Sequence, residues 1–349
     1  MSRFRVALSG DFKKPDGSPA YPVFDLSPLE DDADVEFFYV DPVDGAIPAD
    51  GLADTDVLIL LAARFTADSI PADGRLSMVA RFGVGYDNVD VDACTERGIA
   101  VVITPEGVRR PVAVAILTFI LALAGKLFTK DRLTRAGPDG WAARSEHMGL
   151  GLVGRTLGQL GIGNIGAEVF RLARPLEIEF IAYDPYADPA LAAELGVELV
   201  GIEDLFRRAD YLSVSCPLNE ETRGIVNTEK LALMKPTAFL INTARGPVVD
   251  QAALTDALAR GVIAGAGLDV FEQEPTAADE PLAAMDNVIL APHALCWTDQ
   301  CFAGIGAADV RAALAVKRGE IPVGVVNRPV LEDQRWQGRL SDYRARFGA

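Results

Sequence analysis

Short apolar runs alternate with helical patterns along almost the whole chain of 349 residues. The runs are rich in Val, Ile and Leu and are bounded by turn residues, which predicts strands buried on both faces. Five such strands lie in the first part of the chain, at Phe4–Leu8, Val35–Val40, Val57–Leu61, Leu76–Phe82 and Ile99–Ile103. Six lie in the second part, at Gly158–Ile162, Glu179–Tyr183, Tyr211–Ser215, Ala238–Asn242, Ala264–Asp269 and Asn287–Leu290.

Helical patterns separate these strands, among them Val169–Arg174, Ile202–Ala209, Asp250–Arg260 and Asp299–Arg318. Alternation of strand and helix is typical of doubly wound parallel sheets. We therefore expect an α/β fold with two such sheets. The six strands of the second series are enough for a complete dinucleotide-binding domain.

Two long helices, one starting near Arg109 and one near Asp299, predict the joints between two domains. The chain would leave the first domain through one helix and return to it through the other. The first domain is then discontinuous, with residues 1–107 and 299–349, and residues 108–298 form the second. The last residues, Glu332–Ala349, are polar and aromatic and predict a loosely packed tail.

One apolar run, Pro111–Gly125, is a candidate membrane span. It has 15 residues with arginine and lysine on its flanks, whereas a spanning helix needs about 20 residues. We therefore expect a buried helix or a helix in a subunit interface.

Composition narrows the class of protein. Half of the residues are hydrophobic and 24% are charged, which is typical of a globular protein. The net charge of −17 argues against a nucleic-acid partner, because a phosphate backbone needs a basic patch. The same charge repels an anionic substrate at long range, so the site of such a substrate must supply a local arginine.

The cysteines predict a reduced, cytoplasmic location. Cys94, Cys216, Cys296 and Cys301 form no CxxC pair and are few for the length of the chain. His293 lies near two of them, but the spacing matches no structural zinc pattern, so we expect no metal site. No signal peptide precedes the first predicted strand.

A glycine-rich segment follows the first strand of the second series. It reads GQLGIGNIG and contains the pattern G-x-G-x-x-G at Gly161, Gly163 and Gly166. An apolar strand precedes it and a helical pattern follows, which is the context of a dinucleotide-binding loop. Gly161 allows the tight turn, Gly163 lets the backbone approach a pyrophosphate, and Gly166 lets the helix pack closely on the strand. The helix N-terminus then faces the phosphates.

The next strand ends in Asp184, 18 residues past Gly166. A carboxylate there accepts hydrogen bonds from the adenosine ribose hydroxyls and repels a 2′-phosphate. Pro185 and Tyr186, which follow, offer no arginine to bind such a phosphate, so the sequence favours NAD over NADP. The alternative is an ordinary strand–helix turn capped by an aspartate.

Three side chains suited to anion binding or acid–base chemistry follow strands of the second series: Arg245, Glu274 and His293. Ligands of an open parallel sheet bind outside the carboxyl ends of its strands, so these side chains could converge. Arginine binds a carboxylate with a planar fork. Histidine can protonate a ketone oxygen near neutral pH, and a paired carboxylate would orient it. Taken singly, each could instead be an ordinary exposed charge.

The chain resembles the D-isomer-specific 2-hydroxyacid dehydrogenase family over roughly residues 55–320. The resemblance rests on the glycine loop and on four further segments, which are Gly83–Asp90, Asn242–Gly246, Gly267–Pro275 and Pro292-His293. It implies a Rossmann NAD-binding domain inserted into a flavodoxin-like substrate domain, and a homodimer joined through the cofactor domains. The members that the chain resembles are the glyoxylate or hydroxypyruvate reductases and the phosphoglycerate dehydrogenases.

The resemblance also implies roles for individual residues. Arg245 would bind the substrate carboxylate and carbonyl, His293 would be the acid–base, and Glu274 its partner. The substrate would further meet Gly83, Val84, Gly85, Arg64 and Trp297. The cofactor would be bound by Gly161, Gly163, Asn164, Ile165, Gly166, Asp184, Cys216, Pro217, Thr222, Thr243, Ala244 and Asp269.

The chain departs from the family pattern at two places. Val114 stands where the family often has a glutamate, and Leu295 follows Pro-His-Ala where a small residue is common. Leu295 and Trp297 would crowd one wall of the pocket, which leaves the substrate side chain open, from glyoxylate to larger keto acids.

We expect an NAD-dependent oxidoreductase that interconverts a 2-keto acid and a D-2-hydroxy acid. A rival of another class is an NAD(H)-sensing binding protein, similar to the co-repressors of this fold, which would bind NADH with little turnover. Within the enzyme class, the alternative is oxidation of a non-hydroxyacid such as formate or phosphite. The pair of His293 with Glu274 fits hydroxyacid chemistry better, because formate oxidation needs no proton transfer to oxygen.

Overall fold

The structure, a computed structural model, describes residues 3–348. The chain forms two compact units. The first combines the chain up to Val108 with the chain from Trp297 onward, and the second runs from Arg109 to Cys296. The two joints lie one and two residues from the positions expected from the sequence.

The first unit contains a sheet of five strands, all parallel: β1 (Phe4–Ser9), β2 (Val35–Val40), β3 (Val57–Leu60), β4 (Met78–Arg81) and β5 (Ala100–Ile103). The spatial order is β2-β1-β3-β4-β5, which is the flavodoxin-like order. β3 is fully buried along its length, as its continuous apolar sequence predicts.

The second unit contains a parallel sheet of seven strands: β6 (Thr156–Leu160), β7 (Glu179–Tyr183), β8 (Glu198–Leu199), β9 (Tyr211–Val214), β10 (Phe239–Asn242), β11 (Gly265–Leu268) and β12 (Val288–Leu290). Its order is β12-β11-β10-β9-β6-β7-β8, a dinucleotide-binding sheet with one added strand. The expected six strands are present, and the two-residue β8 is too short to show as an apolar run. All eleven predicted strands end within two residues of the observed ends.

The helices are α1 (Ser27–Glu30), α2 (Val91–Glu96), α3 (Pro105–Ala124), α4 (Leu127–Arg135), α5 (Pro138–Ala142), α6 (Asn164–Ala173), α7 (Pro189–Leu195), α8 (Ile202–Arg208), α9 (Thr228–Leu231), α10 (Gln251–Ala259), α11 (Asp299–Lys317) and α12 (Gln334–Phe347). α6 begins five residues before the helix expected at Val169, because its first turn is the glycine loop itself, whose glycines conceal a helix start.

Helix α3 begins at Pro105 rather than near Arg109. Proline suits the first position of a helix, where no backbone N–H is needed. Two residues later, at Gly107, a side chain would clash with α11, because a Cβ there would stand 2.4 Å from the backbone nitrogen of Ile305. α3 is long and apolar enough to cross a membrane. However, 56% of its most apolar stretch of 18 residues is buried inside the protein, as in a core helix.

The carboxyl-terminal segment is not a loose tail, so that expectation was wrong. Residues 334–347 form α12, and its indole and phenol side chains Trp336 and Tyr343 are buried in the first unit. Trp336 donates from Nε1 to the carbonyl of Ser77 over 3.0 Å, and Tyr343 donates to Asp56 Oδ1 over 2.7 Å. A stripe of apolar residues at helical spacing is hidden in the sequence by the surrounding arginines.

Candidate active site

Three neighbouring strands of the second unit carry the predicted catalytic side chains at their carboxyl ends. Arg245 follows β10, Glu274 follows β11 and His293 follows β12. These strands are adjacent in the order β12-β11-β10, so the three loops leave the same edge of the sheet side by side. The fold therefore brings together residues that span almost fifty positions of sequence.

His293 and Glu274 form a hydrogen-bonded pair. Imidazole Nδ1 lies 2.7 Å from Glu274 Oε2. The other carboxyl oxygen, Oε1, accepts the backbone N–H of Phe271 over 2.9 Å, which fixes the carboxylate from its own loop. Because an ionised carboxylate can only accept, Nδ1 carries the hydrogen of this bond and Nε2 is the ring nitrogen directed elsewhere.

The backbone at His293 adopts a left-handed conformation, with φ of 55°. Residues other than glycine rarely adopt this conformation, and such positions cluster at functional sites. Asp269 stabilises the turn that follows, since its Oδ1 accepts the N–H groups of Ala294 (2.9 Å) and Leu295 (3.1 Å). The loop conformation is thus imposed by a buried acceptor at the end of β11.

The pKa values of the two carboxyl groups near His293, those of Glu274 and Asp269, shift in opposite directions. Partial burial acts to raise the pKa of Glu274, but the hydrogen bonds from His293 and Phe271, with the nearby charge of Arg245, bring the net pKa below its ordinary value. Asp269 is more deeply buried, and desolvation raises its pKa despite the two backbone N–H groups. Glu274 therefore stays ionised over the wider pH range, and its charge can stabilise an imidazolium on His293.

The loop that carries Arg245 is held by Asn242, the last residue of β10. Asn242 is buried, its Oδ1 accepts the N–H of Ala244 over 3.0 Å, and its Nδ2 donates to the carbonyl of Arg245 over 3.0 Å. The guanidinium donates to the carbonyl of Ala244 over 2.7 Å. Gly246 is required next, because a Cβ there would stand 1.9 Å from the carbonyl of Phe271.

The glycine loop has the geometry that its sequence predicts. Gly161 has φ of 99°, and a Cβ on it would stand 2.9 Å from the carbonyl oxygen of Ser215. A Cβ on Gly166 would stand 2.4 Å from the carbonyl oxygen of Gly161. By contrast, a Cβ on Gly163 would face open space, so no protein atom explains that glycine. This opening at the start of α6 fits the approach of a pyrophosphate to the backbone.

Asp184 lies at the end of β7, beside that loop. Its Oδ2 accepts the N–H of Ile162 over 3.0 Å, and its Oδ1 accepts the N–H of Tyr186 over 2.8 Å. The carboxylate is therefore oriented by the glycine loop itself, a contact that sequence reasoning did not foresee. Each carboxylate oxygen retains a second lone pair for a ribose hydroxyl.

The remaining predicted cofactor residues follow β9 and β10. Cys216 and Pro217 follow β9 at the point where the strand order reverses, and burial raises the pKa of the Cys216 thiol to about 11. Thr222 closes the turn after them by donating to the carbonyl of Pro217 over 2.6 Å. Thr243 and Ala244 lie in the loop that carries Arg245.

The predicted substrate residues of the first unit lie after β3 and β4. Gly83 lies in a bend with φ of 125°, and Val84 and Gly85 follow it. The carbonyl of Gly83 accepts the N–H of Thr104 over 2.8 Å, and its N–H donates to Thr104 Oγ1 over 3.1 Å. Thr104 therefore braces the loop, a role that its place before Pro105 did not reveal.

Arg64 and Trp297 have other contacts within the first unit. Arg64 donates from Nη2 to the carbonyl of Asp44 over 2.9 Å. The ring of Trp297 is half exposed and packs edge-on against Tyr21 and Phe302, with ring centroids 5.6 and 5.2 Å apart. Their contacts with a substrate stay predictions. Within residues 3–348, no group of three or more His, Cys, Asp and Glu side chains could bind a metal.

Comparisons with known proteins point to one family. The model described as D-isomer specific 2-hydroxyacid dehydrogenase, NAD binding domain, matches residues 117–294. A glyoxylate reductase of Korarchaeum cryptofilum is 41% identical over 283 residues, which cover 80% of this chain and 85% of that protein. A D-3-phosphoglycerate dehydrogenase of Methanocaldococcus jannaschii is 38% identical over 294 residues, which cover 84% of this chain and 55% of that protein.

Solved structures of other proteins have a similar fold. The holo form of D-mandelate dehydrogenase from Rhodotorula graminis is 27% identical and superposes with a TM-score of 0.80, over 93% of this chain and 98% of that one. The similarity thus extends across both units, beyond the part of the chain that the family model matches.

Proposed function

The chain belongs to the D-isomer-specific 2-hydroxyacid dehydrogenases, which are NAD-dependent oxidoreductases, and we propose that it reduces a small 2-keto acid of the glyoxylate class. The observation that carries the proposal is the pairing of His293 with Glu274 at 2.7 Å, in loops adjacent to that of Arg245. The glyoxylate reductases among the relatives support a small substrate.

Arg245, His293 and Glu274 each have a distinct role in the proposed reaction. Arg245 binds the substrate carboxylate through its planar fork and polarises the keto oxygen. His293 donates a proton from Nε2 to that oxygen, and Glu274 orients the ring and stabilises its charge through Nδ1. When bound, the dinucleotide supplies the hydride that adds to the carbonyl carbon. In the reverse direction His293 accepts the hydroxyl proton.

The cofactor is held by the opening of α6. The backbone at Gly163, Asn164 and Ile165 faces the pyrophosphate, where the first N–H groups of a helix lack intrahelical partners. Asp184 accepts the ribose hydroxyls and disfavours a 2′-phosphate by charge, so the enzyme prefers NADH to NADPH. Asp269, Cys216, Pro217 and Thr222 line the two ends of the same cleft.

We also infer a cytoplasmic homodimer that binds neither nucleic acid nor membrane. Exposed apolar side chains follow one another along α3 to α5, which is unusual on a monomer surface. They are Val114, Leu121, Leu127, Phe128 and Trp141. An apolar surface of this kind in the cofactor unit supports an isologous interface. Sedimentation of Phe128→Glu, which should give a monomer, tests this assignment.

The test of the function is NADH oxidation against 2-keto acids graded from glyoxylate to bulky aromatic ones, with NADPH in parallel. We expect the highest kcat/KM with the smallest acids and with NADH. Turnover on formate or phosphite alone would overturn the keto-acid assignment. NADH binding without turnover on any acid would instead indicate a dinucleotide sensor.

A further inference from the structure

A cavity of about 360 Å³ lies at the amino-end edge of the sheet of the first unit. It lies between the segment before β4, the start of β5 and helix α12. Its walls are apolar, from Ile70, Leu76 and Ile99, and its rim carries the arginines Arg97, Arg335 and Arg339. We name it the arginine cavity. Gly83 follows the carboxyl end of β4, so the predicted substrate loop lies at the opposite edge of this sheet.

The cationic groups of the arginine cavity are only partly neutralised. Arg335 is paired with Asp333, with Nη2 to Oδ2 at 2.6 Å. Arg97 is exposed and forms no ion pair within the described chain. No carboxylate lines the cavity. Arg97 therefore brings to the cavity a guanidinium group without an ion pair among the described residues, in a chain whose net charge is −17.

Arg339 is the most constrained of the three arginines. Its Nη1 donates to the carbonyl of Gly74 over 2.9 Å and its Nη2 donates to the carbonyl of Gly98, while Nε is buried without a hydrogen-bond partner. Burial lowers the pKa of this guanidinium, although the charges of Tyr343 and Asp333 act against this change. A buried cation that is bound by carbonyls rather than by a carboxylate is stabilised further when an anion approaches it.

A second, smaller cavity of about 200 Å³ shares Gly74 and Arg339 with the first and serves as an internal comparison. Its lining includes the carboxylates of Asp56 and Asp342, and Asp56 is already paired with Arg75 at 2.7 Å. Two carboxylates thus face the arginines of this neighbour, whereas no carboxylate lines the arginine cavity. Of the two cavities, the arginine cavity is the one that combines guanidinium groups with apolar side chains and has no carboxylate in its lining.

We propose that the arginine cavity binds a small phosphorylated metabolite. Its phosphate group contacts Arg97 and Arg339, and its less polar body packs on Ile70, Leu76 and Ile99. Arginine matches phosphate geometry bidentately, and the volume falls within the range of about 300–1,000 Å³ that small-molecule sites occupy. The strongly acidic remainder of the chain disfavours a polyanionic macromolecule as the ligand.

The test is calorimetric titration of the NADH-saturated enzyme with inorganic pyrophosphate at low ionic strength. Arg97→Glu removes one cation and adds an anion at an exposed side chain without hydrogen-bond partners, so the fold is preserved. The matched control is Arg318→Glu, which makes the same change of charge on the same unit, away from the cavity. We expect Arg97→Glu to weaken pyrophosphate binding by about tenfold or more and Arg318→Glu to change it less than about twofold.

A third variant separates this site from the active site. Arg245→Ala should leave pyrophosphate binding intact. Loss of binding in Arg245→Ala, equal weakening by Arg97→Glu and Arg318→Glu, or the absence of measurable binding to the wild type would each overturn the proposal.

Discussion

Glu274 in the second unit and Asp309 in the first carry the same functional group in opposite environments. Glu274 is partly exposed, and both of its oxygens accept hydrogen bonds, from His293 and from the N–H of Phe271. Asp309 on α11 is fully buried, and neither oxygen has a hydrogen-bond partner. The hydrogen bonds give Glu274 a lowered pKa, whereas burial raises the pKa of Asp309 well above its ordinary value, although the charge of Arg81 acts against this rise.

The comparison teaches that hydrogen bonding, rather than burial by itself, decides whether a carboxyl group keeps its charge. Glu274 is ionised and available to stabilise a cation on the adjacent imidazole. Asp309 retains its proton over a wider pH range and contributes no such charge. Four predictions, from the largest expected effect to the smallest, test this contrast and the site around it.

Removal of the imidazole should have the largest effect, because it removes the proton donor and leaves Glu274 without its partner. We expect His293→Ala to reduce kcat by about 10²–10⁴-fold while the affinity for NADH stays near the wild-type value. Stopped-flow turnover and fluorescence titration with NADH measure the two quantities. The matched control is His147→Ala, since His147 is the other histidine of the chain. Near-native turnover of His293→Ala would contradict the acid–base assignment.

Neutralisation of the carboxylate should have the next largest effect. Glu274→Gln preserves the shape of the side chain but removes the charge that stabilises an imidazolium, so we expect kcat to fall about tenfold to a hundredfold. Because the pKa of Glu274 is lowered, its contribution is present above the ordinary glutamate value and is lost as pH falls through the lowered value.

The pH profile separates this effect from a structural one. Wild-type kcat should decline in acid only below the ordinary pKa of a glutamate, and Glu274→Gln should lack that acid limb. A profile of unchanged shape in Glu274→Gln would mean that the carboxylate only positions the loop.

The third prediction concerns the stability of the first unit. Since the folded-state pKa of Asp309 is raised, its contribution to stability is full below its ordinary pKa and is lost as pH rises through the folded value. Asp309→Asn should therefore raise the free energy of unfolding by about 1 kcal/mol or more near neutral pH, and the gain should shrink toward about pH 4.

Urea unfolding at several pH values measures this gain, with the exposed Asp50→Asn as the control. Destabilisation by Asp309→Asn that grows with pH would show that Asp309 is ionised and paired with Arg81.

The smallest effect should come from the aromatic cluster of the first unit. Trp297→Ala removes a half-exposed ring that packs on Tyr21 and Phe302. We expect kcat/KM for glyoxylate to change less than about threefold, and the value for bulky keto acids to rise, because a crowded wall is opened. Unchanged selectivity across the graded acids would remove Trp297 from the substrate wall.

Much of the fold followed from the sequence because strand burial leaves a direct pattern. Strands of a parallel sheet are covered on both faces, so they read as short apolar runs, and the comparisons confirm the predicted family, the two-sheet fold and the NAD cofactor. The two-residue β8, the early starts of α3 and α6, and the packed α12 were missed or misplaced. β8 is too short to form an apolar run, α3 and α6 start in segments of proline and glycine, and the apolar stripe of α12 is hidden among arginines.

The candidate site was predictable to a similar extent. Residue types and their order after successive strands predicted that Arg245, Glu274 and His293 meet at one edge of the sheet. The supporting residues were not predictable as such: Asn242 holds the arginine loop, Asp269 holds the turn after His293, and Thr104 holds the loop of Gly83. These side chains act on backbone groups that only the folded loops bring within hydrogen-bond distance, and two of them, Asp269 and Thr104, bond groups more than twenty residues away.

The sequence by itself determined the class of chemistry, because glycine spacing, strand order and the residue types at strand ends are local properties of the chain. Only the tertiary structure decided the charge states and the sites that depend on them. Asp309 is buried without a hydrogen-bond partner, whereas Glu274 accepts hydrogen bonds from His293 and Phe271. Arg97 shares one cavity with Arg335 and Arg339, which lie more than two hundred residues away in the sequence. Desolvation and charge balance depend on which groups become neighbours in space, and that is set by packing between elements.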